Sequence, residues 1–286
     1  MMKCDIVGDD MYEIKDVCAV IVSYNCDGVI LDNIDSLLKQ TGHILVLDNG
    51  SCEESKKHIE GYKDKENVTA IYHKTNEGIA KRLNEALAWA EENGYPLLLT
   101  MDQDTILDEN CVIQMLKVMN REPRCASVGP NRKGNRIKKS REVSYLITSG
   151  NLVNIKFAQQ AGGYYSDLFI DLVDIEFSLA LRRAGFLLYV ADKAFMKHKV
   201  GEYETNRVLG SEIKYLSHSP KRFYYIYRNH TIIVREYFSQ YPAFCTKILL
   251  LLAVDTGKLL FEANKGEKLC MLKRGLRDGR NKTFNR

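Results

Sequence analysis

Short apolar runs alternate with polar segments of helical spacing along the first half of the chain. Residues 17–22 (VCAVIV) are β-branched and apolar, and predict a first buried strand. After Ser23, Tyr24 and Asn25, the residues Val29, Ile34, Leu37 and Leu38 recur as on a helix. Residues 44–47 predict a second strand, which ends in Asp48-Asn49-Gly50-Ser51, and residues 53–62 a polar helix. A short strand over 68–72 and the turn Asn76-Glu77-Gly78 follow. A helix over 79–90 then carries Leu83, Ala86, Leu87 and Ala90 on one face. Leu97, Leu98, Leu99 and Met101 make a buried strand of 95–105, and 111–119 reads as a helix. Strands alternating with helices at this spacing predict a largely parallel sheet.

The second half is less regular. Residues 127–130 and 186–190 read as strands, and 145–151 (YLITSGN) as a strand running into Ser-Gly-Asn. Gly150 lets the backbone approach a ligand or simply turns the chain. Residues 168–185 predict one helix with Asp171 at its N-cap, Arg182 and Arg183 in its last turn and Gly185 as its stop. Residues 222–229 (RFYYIYRN) are dense in Tyr and Arg, and 248–254 form an apolar run that suits a core helix or an interfacial one. No repeat or linker interrupts the chain. It divides into a body, 1–238, and a helical extension, 239–286.

Charge adds an asymmetry to this outline. Of the net +4, residues 256–286 carry +6, from nine Lys/Arg against three acids, which leaves −2 on the preceding 255. A basic tail on a mildly acidic body suits an anionic partner: nucleic acid, a membrane surface or a phosphorylated substrate. The eight cysteines form no C-x-x-C pair, which argues for reduced thiols and an intracellular home. The N-terminus has no apolar core of a signal peptide, and no run reaches the roughly 18 apolar residues of a membrane span.

The candidate chemistry centres on Asp102 and Asp104, one residue apart at the end of a buried strand, where ligands bind in open α/β sheets. Two carboxylates there suit Mg²⁺ or Mn²⁺, which bridge protein oxygens to substrate phosphates. The same pair also suits the cap of the next helix. Asp171 and Asp174 are three apart, as in a capping pair, or one of them is a general base. The basic stretch 131–141 is a solvated loop or a flap that meets diphosphate. Residues 222–229 pack Tyr side chains or hold a guanidinium near phosphate. Neither G-x-G-x-x-G after the first strand nor a P-loop motif is present, which weakens dinucleotide and NTPase readings.

Taken in order, VIVSYN (20–25), LVLDNGS (45–51), NEGIAKRLNEAL (76–87), MDQDT (101–105), TSGNL (148–152), LFIDLVDIEFSLALRRAGF (168–186) and RFYYIYRN (222–229) resemble family 2 inverting glycosyltransferases of GT-A fold. The nearest likeness is to the bacterial rhamnosyltransferase-like branch. The resemblance implies an α/β fold with a mixed, mostly parallel sheet flanked by helices. It also implies a nucleotide-sugar site. Asp48 would accept the N3–H of uracil or thymine beside Tyr24, with Val22, Asn25, Asn76 and Gly78 around the nucleotide. Asp102 and Gln103 would face ribose and diphosphate. Asp104 and His198 would hold Mg²⁺ or Mn²⁺. Asp174 would deprotonate the acceptor hydroxyl, with Gly150, Asn151, Asp171, Arg222 and Arg228 toward acceptor or diphosphate. Near Gly78, where some members carry an arginine toward the nucleotide, this chain offers glycine and backbone.

The expected activity is inverting transfer of a sugar, with L-rhamnose a candidate, from a UDP- or dTDP-linked donor. The expected acceptor is a saccharide or a polyprenyl-diphosphate-linked sugar of a bacterial surface polysaccharide. The expected place is the cytoplasm, peripheral at the inner face of the membrane, where each surface Lys or Arg is worth about 1 kcal/mol. The rival readings are a sugar nucleotidyltransferase, which lacks its Gly-rich phosphate loop here, and a nucleic-acid-binding protein. Carboxylates at the binding mouth repel nucleic-acid phosphates.

Overall fold

The computed structural model describes residues 11–132, 137–198, 203–208, 211–216, 219–259 and 265–284. Four parallel strands carry the first half: β1 (Val17–Ser23), β2 (His43–Asp48), β3 (Val68–Tyr72) and β4 (Leu97–Asp102). They alternate with α1 (Val29–Leu37), α2 (Glu53–Glu60) and α3 (Ile79–Glu92). β1 and β4 are apolar along their length because helices cover both faces of a parallel sheet, so no position alternates to water.

A short β5 (Thr105–Leu107) and α4 (Cys111–Arg121) follow, then β6 (Cys125–Arg132), β7 (Arg141–Glu142), β8 (Asn151–Asn154) and α5 (Ile155–Gln160). α6 (Val173–Arg183) and the long β9 (Leu187–His198) complete the main sheet, whose order is β3-β2-β1-β4-β8-β6-β9-β5, with β7 on β9. β8 runs antiparallel to both β4 and β6, so the sheet is mixed. β10 (Tyr203–Val208) and β11 (Ser211–Leu216) form a separate antiparallel pair. The chain ends in α7 (Pro220–Tyr237), α8 (Pro242–Lys258) and α9 (Lys265–Asn281).

Three expectations change. Residues 145–150 are not strand: β8 starts at Asn151, because Gly150 turns the chain at φ +73° and its N–H is taken by the Thr100 carbonyl at 2.8 Å. The helix expected over 168–185 starts at Val173, since Phe169, Asp171 and Leu172 all have left-handed backbone. Asp171 is therefore not a helix cap. Nor do Asp102 and Asp104 cap α4: β5 intervenes, and the residue at the α4 N-cap is Asn110. Within the basic stretch 131–141, residues 133–136 lie outside the described ones.

The chain divides into two compact units, residues 1–167 with 173–199, and residues 168–172 with 200–286. The first holds the main sheet and its core. In the second, α7 and α9 pack closely through two glycines. A Cβ at Gly275 would stand 2.5 Å from the Tyr224 carbonyl oxygen, and one at Gly279 would stand 2.6 Å from that of Arg228. Phe223, Tyr227 and Leu259 form the buried centre of this unit, with Leu252, Met271, Leu272 and Leu276 against it. α8 buries Cys245 and Ile248 but leaves Leu250, Leu251 and Val254 more than half exposed. That apolar outer face is why 248–254 reads equally as core or interface. No helix among the described residues is long and apolar enough to cross a membrane.

Candidate active site

The parallel register sets the C-terminal ends of β1 to β4 along one edge. Ser23 pairs with Asp48, Asp48 with Tyr72, and Val22 with Asp102. In open α/β sheets this edge is the ligand edge. The loops that leave it are laced together. Asn25, with φ +47°, donates its N–H to Ser51 Oγ at 2.8 Å and accepts from Cys52 N–H at 3.1 Å. Asn76 Oδ1 accepts from Gly78 N–H and from Asn49 Nδ2, each at 3.0 Å.

Asp48 is wholly buried, and its Oδ2 accepts the N–H groups of Gly50 (3.2 Å) and Ser51 (3.0 Å). Its first job is to close the turn into α2. A carboxylate has about four acceptor positions, so this does not exhaust it. Tyr24 stands at the rim with 47% of its surface exposed. Val22 is half-buried at the end of β1.

Asp102, Gln103 and Asp104 are half-buried where β4 gives way to β5. The buried Asn33 donates to the Asp102 carbonyl at 2.7 Å and fixes the backbone at the strand end. Gln103, expected to face ribose and diphosphate, directs its side-chain amide to the main chain of Tyr24. Thr105, the residue after Asp104, pairs with His198 at the end of β9, which brings the two expected cation-binding positions to neighbouring strands. The side chain of His198 lies outside the described ones. Among the described residues no three His, Cys, Asp or Glu side chains cluster as a complete metal site. One or two carboxylates with substrate phosphates suffice for Mg²⁺ or Mn²⁺, and a half-buried Asp104 of oxygen chemistry fits that pattern.

The place of the arginine near Gly78 is taken from within. Arg82, four residues on, is 3% exposed and bonds Asn49 Oδ1 (2.9 Å), Glu77 (2.8 Å) and Glu85 (2.8 Å). Helical spacing alone gave Arg82 no role. Its burial with Asn49 is a tertiary fact that ties the loop after β2 to α3.

Gly150 turns the chain and Asn151 opens β8. A Cβ at Gly150 would stand 2.9 Å from Pro130 Cγ, and the buried Asn151 accepts a hydrogen bond from the Ser127 hydroxyl. The backbone thus approaches protein at Gly150, and the turn reading of that glycine holds. Asp174 is half-buried in the first turn of α6 and accepts the Ile175 N–H at 2.8 Å. Burial holds the Tyr164 phenol above its ordinary range, and the charge of nearby Asp174 adds to this. Tyr164 stacks on Phe177 of α6 at 4.0 Å, and Asn84 of α3 bonds both its N–H and its carbonyl at 2.7 Å.

The remaining three candidates lie in the second unit. Arg222 grips Asp171 through Nε (3.1 Å) and Nη2 (2.8 Å). Arg228 lies over the rings of Tyr224 (5.5 Å) and Tyr225 (4.9 Å) and bonds Asn229. These guanidinium contacts are to protein groups, as the packing reading of 222–229 expects.

Residues 18–171 match the family model "Glycosyl transferase family 2". The chain belongs to that family. This glycosyltransferase is 27% identical over 249 residues to the dTDP-rhamnosyl transferase RfbF of Shigella flexneri, across 78% of its own length and 81% of the relative's. It is 33% identical over 144 residues to a hyaluronan synthase of Streptococcus pyogenes, covering 45% of this chain and 33% of that one. Among solved structures, the mannosyltransferase PcManGT of Pyrobaculum calidifontis, in complex with GDP-Man and Mn²⁺, matches 99% of this chain and 80% of its own at TM-score 0.60 and 12% identity. GalNAc-T7 with UDP, GalNAc and Mn²⁺ matches 80% of this chain at TM-score 0.63 and 14% identity. The glycosyltransferase spans about half the length of that structure (49%). These likenesses establish the GT-A fold, and family membership makes glycosyl transfer the activity. The nucleotidyltransferase and nucleic-acid-binding readings give way to it.

Proposed function

We propose that this glycosyltransferase moves a sugar with inversion from a UDP- or dTDP-linked donor to a saccharide or polyprenyl-diphosphate-linked acceptor of a bacterial surface polysaccharide. The similarity to RfbF favours dTDP-L-rhamnose as donor. The observation that carries the reading is the alignment of Tyr24, Asp48 and Asp102-Gln103-Asp104 at the C-terminal ends of adjacent parallel strands. Residues 1–238 act as the catalytic part, on account of the motif at 222–229, and 239–286 as its extension.

In this account the base lies beside Tyr24, and Asp48 takes the ring N3–H on an acceptor position not used by Gly50 and Ser51. Asp102 faces the ribose. Asp104, with His198, would hold a divalent cation, Mg²⁺ or Mn²⁺. Such a cation supplies neutralising charge for the departing nucleoside diphosphate. Asp174 accepts the proton of the acceptor hydroxyl as its oxygen forms a bond to the anomeric carbon. The bond to the diphosphate oxygen breaks on the opposite side, so a single base gives inversion. The protein works at the inner face of the cell membrane. The exposed apolar face of α8 and the basic tail support attachment to anionic lipid.

Two substitutions test the assignment. Asp104→Asn weakens cation-dependent binding of the donor nucleotide. Asp174→Asn leaves that binding intact and lowers transfer by about 10²–10⁴-fold, the usual loss of a general base. Equal loss of nucleotide binding in both variants contradicts the role of Asp174.

A further inference from the structure

α7 presents Arg222, Tyr225 and Asn229 at positions i, i+3 and i+7 of one face, and all three meet residues 168–172. Arg222 holds the Asp171 carboxylate, Tyr225 stacks on Phe169 at 4.9 Å, and Asn229 binds the backbone itself. Asn229 is wholly buried, and its Nδ2 donates to the carbonyls of Leu168 (3.0 Å), Ile170 (2.7 Å) and Asp171 (2.9 Å). Its Oδ1 accepts from Arg228 Nε (3.0 Å) and Nη2 (2.8 Å). Three carbonyls at one end and a guanidinium at the other leave only one orientation of the amide.

The backbone so held is strained. Phe169, Asp171 and Leu172 have φ of +60°, +65° and +62°. L-residues persist in this region only when their surroundings over-determine it, and such strain collects at functional segments. Leu172 leads directly into α6, whose second residue is Asp174.

We propose that Asn229 is a positioning residue for transfer: its buried amide holds 168–172 in the left-handed run from which the chain enters α6 and presents Asp174. This rests on the reading of Asp174 as the base. Asn229 itself touches no reacting atom.

The test follows release of dTDP from dTDP-L-rhamnose, with an acceptor-lipid extract, in Asn229→Ala, Leu172→Gly and the double variant. Binding of dTDP with Mn²⁺ is measured in parallel. Asn229→Ala lowers turnover about tenfold or more and leaves dTDP affinity within about twofold. Leu172→Gly restores part of that turnover in the Asn229→Ala background, because glycine enters the left-handed region without penalty. A packing role for Asn229 predicts no such rescue. Leu172→Gly also changes Tm more favourably in wild type than in Asn229→Ala, because Asn229 imposes the strain that glycine relieves. Unchanged turnover in Asn229→Ala, or additive Tm changes, overturns the proposal. If wild type releases no dTDP, the donor reading fails, and the Tm comparison decides whether Asn229 holds the left-handed backbone at Leu172. If Asp174→Asn keeps full turnover, the base reading fails while the Tm comparison still stands. Should Asn229→Ala not fold, Asn229→Ser, which keeps one donor, replaces it in the same comparisons.

Discussion

Gln103 holds Tyr24 by its main chain. Oε1 accepts the Tyr24 N–H at 2.8 Å, and Nε2 donates to the Tyr24 carbonyl at 3.4 Å. One side-chain amide thus mimics a rung of sheet between the turns after β1 and β4, and the ring of Tyr24 remains exposed at the rim. The middle residue of Asp102-Gln103-Asp104 sets the position of an aromatic side chain 79 residues away.

Removing this clamp lowers affinity for the base-bearing part of the donor. Each net hydrogen bond is worth about 0.5–1.5 kcal/mol, so loss of both in Gln103→Ala weakens dTDP or UDP binding by at most roughly 5–150-fold and lowers Tm slightly. Gln103→Glu keeps the acceptor and loses only the longer bond, so its loss is smaller. Titration of the two variants checks the order. Equal affinities in both variants and wild type contradict the clamp.

The packing of α7 on α9 depends on two glycines. A methyl group at Gly275 or Gly279 meets backbone oxygen at 2.5 or 2.6 Å, and backbone cannot swing aside. Gly275→Ala and Gly279→Ala each cost about 1–3 kcal/mol, the usual cost of overpacking, seen as a lower Tm. Gly266→Ala, in the same helix but with open space around it, does not lower Tm.

The outer face of α8 gives a test of membrane attachment. Leu250 is 64% exposed and Leu251 55%. Leu250→Glu and Leu251→Glu reduce flotation with phosphatidylglycerol vesicles and leave dTDP binding unaltered. Wild-type flotation falls as salt rises, because the charge of the tail is screened. Binding that ignores both salt and these substitutions contradicts lipid attachment.

The cysteines differ in reactivity. Hydrogen bonding with the Ser55 backbone and side chain holds the exposed Cys52 thiol below its ordinary range, whereas burial pushes Cys18, Cys111 and Cys125 up to about 12. At about pH 7.5 the thiolate is the reactive form. Iodoacetamide on the folded protein therefore labels Cys52 and spares the three buried thiols, as peptide mass spectrometry will report. Labelling of Cys18 in the folded state contradicts this.

β1, β2 and β4 were legible because burial on both faces makes each a largely apolar run, and β3, with only Val68 buried, through its β-branched and aromatic residues. The end of β4 pointed to Asp102 and Asp104 from the strand pattern alone, whereas Tyr24, Asp48 and Gln103 were singled out only through the resemblance to family 2. Residues 168–172 were not legible. Their apolar and acidic pattern fits a helix start, and the left-handed backbone that forbids it is held by Asn229, about sixty positions on. The surroundings of Gly150 and Asn151 were not legible for the same reason, since Pro130, Met196 and Ser127, which meet them, come from other strands. Arg82 carried no signal along the chain, because its partner Asn49 comes from the loop after β2. The hairpin of β10 and β11 escaped notice because its strands, YETNRV and SEIKYL, are largely polar.

The central claim is a cation-dependent nucleotide-sugar site at the ends of β1, β2 and β4. Calorimetric titration of the protein with UDP, dTDP and GDP, each with and without Mn²⁺, tests it most directly. The account predicts that UDP or dTDP binds, that Mn²⁺ strengthens the binding, and that Asp104→Asn abolishes this gain. Failure of all three nucleotides to bind in the presence of Mn²⁺ would contradict it.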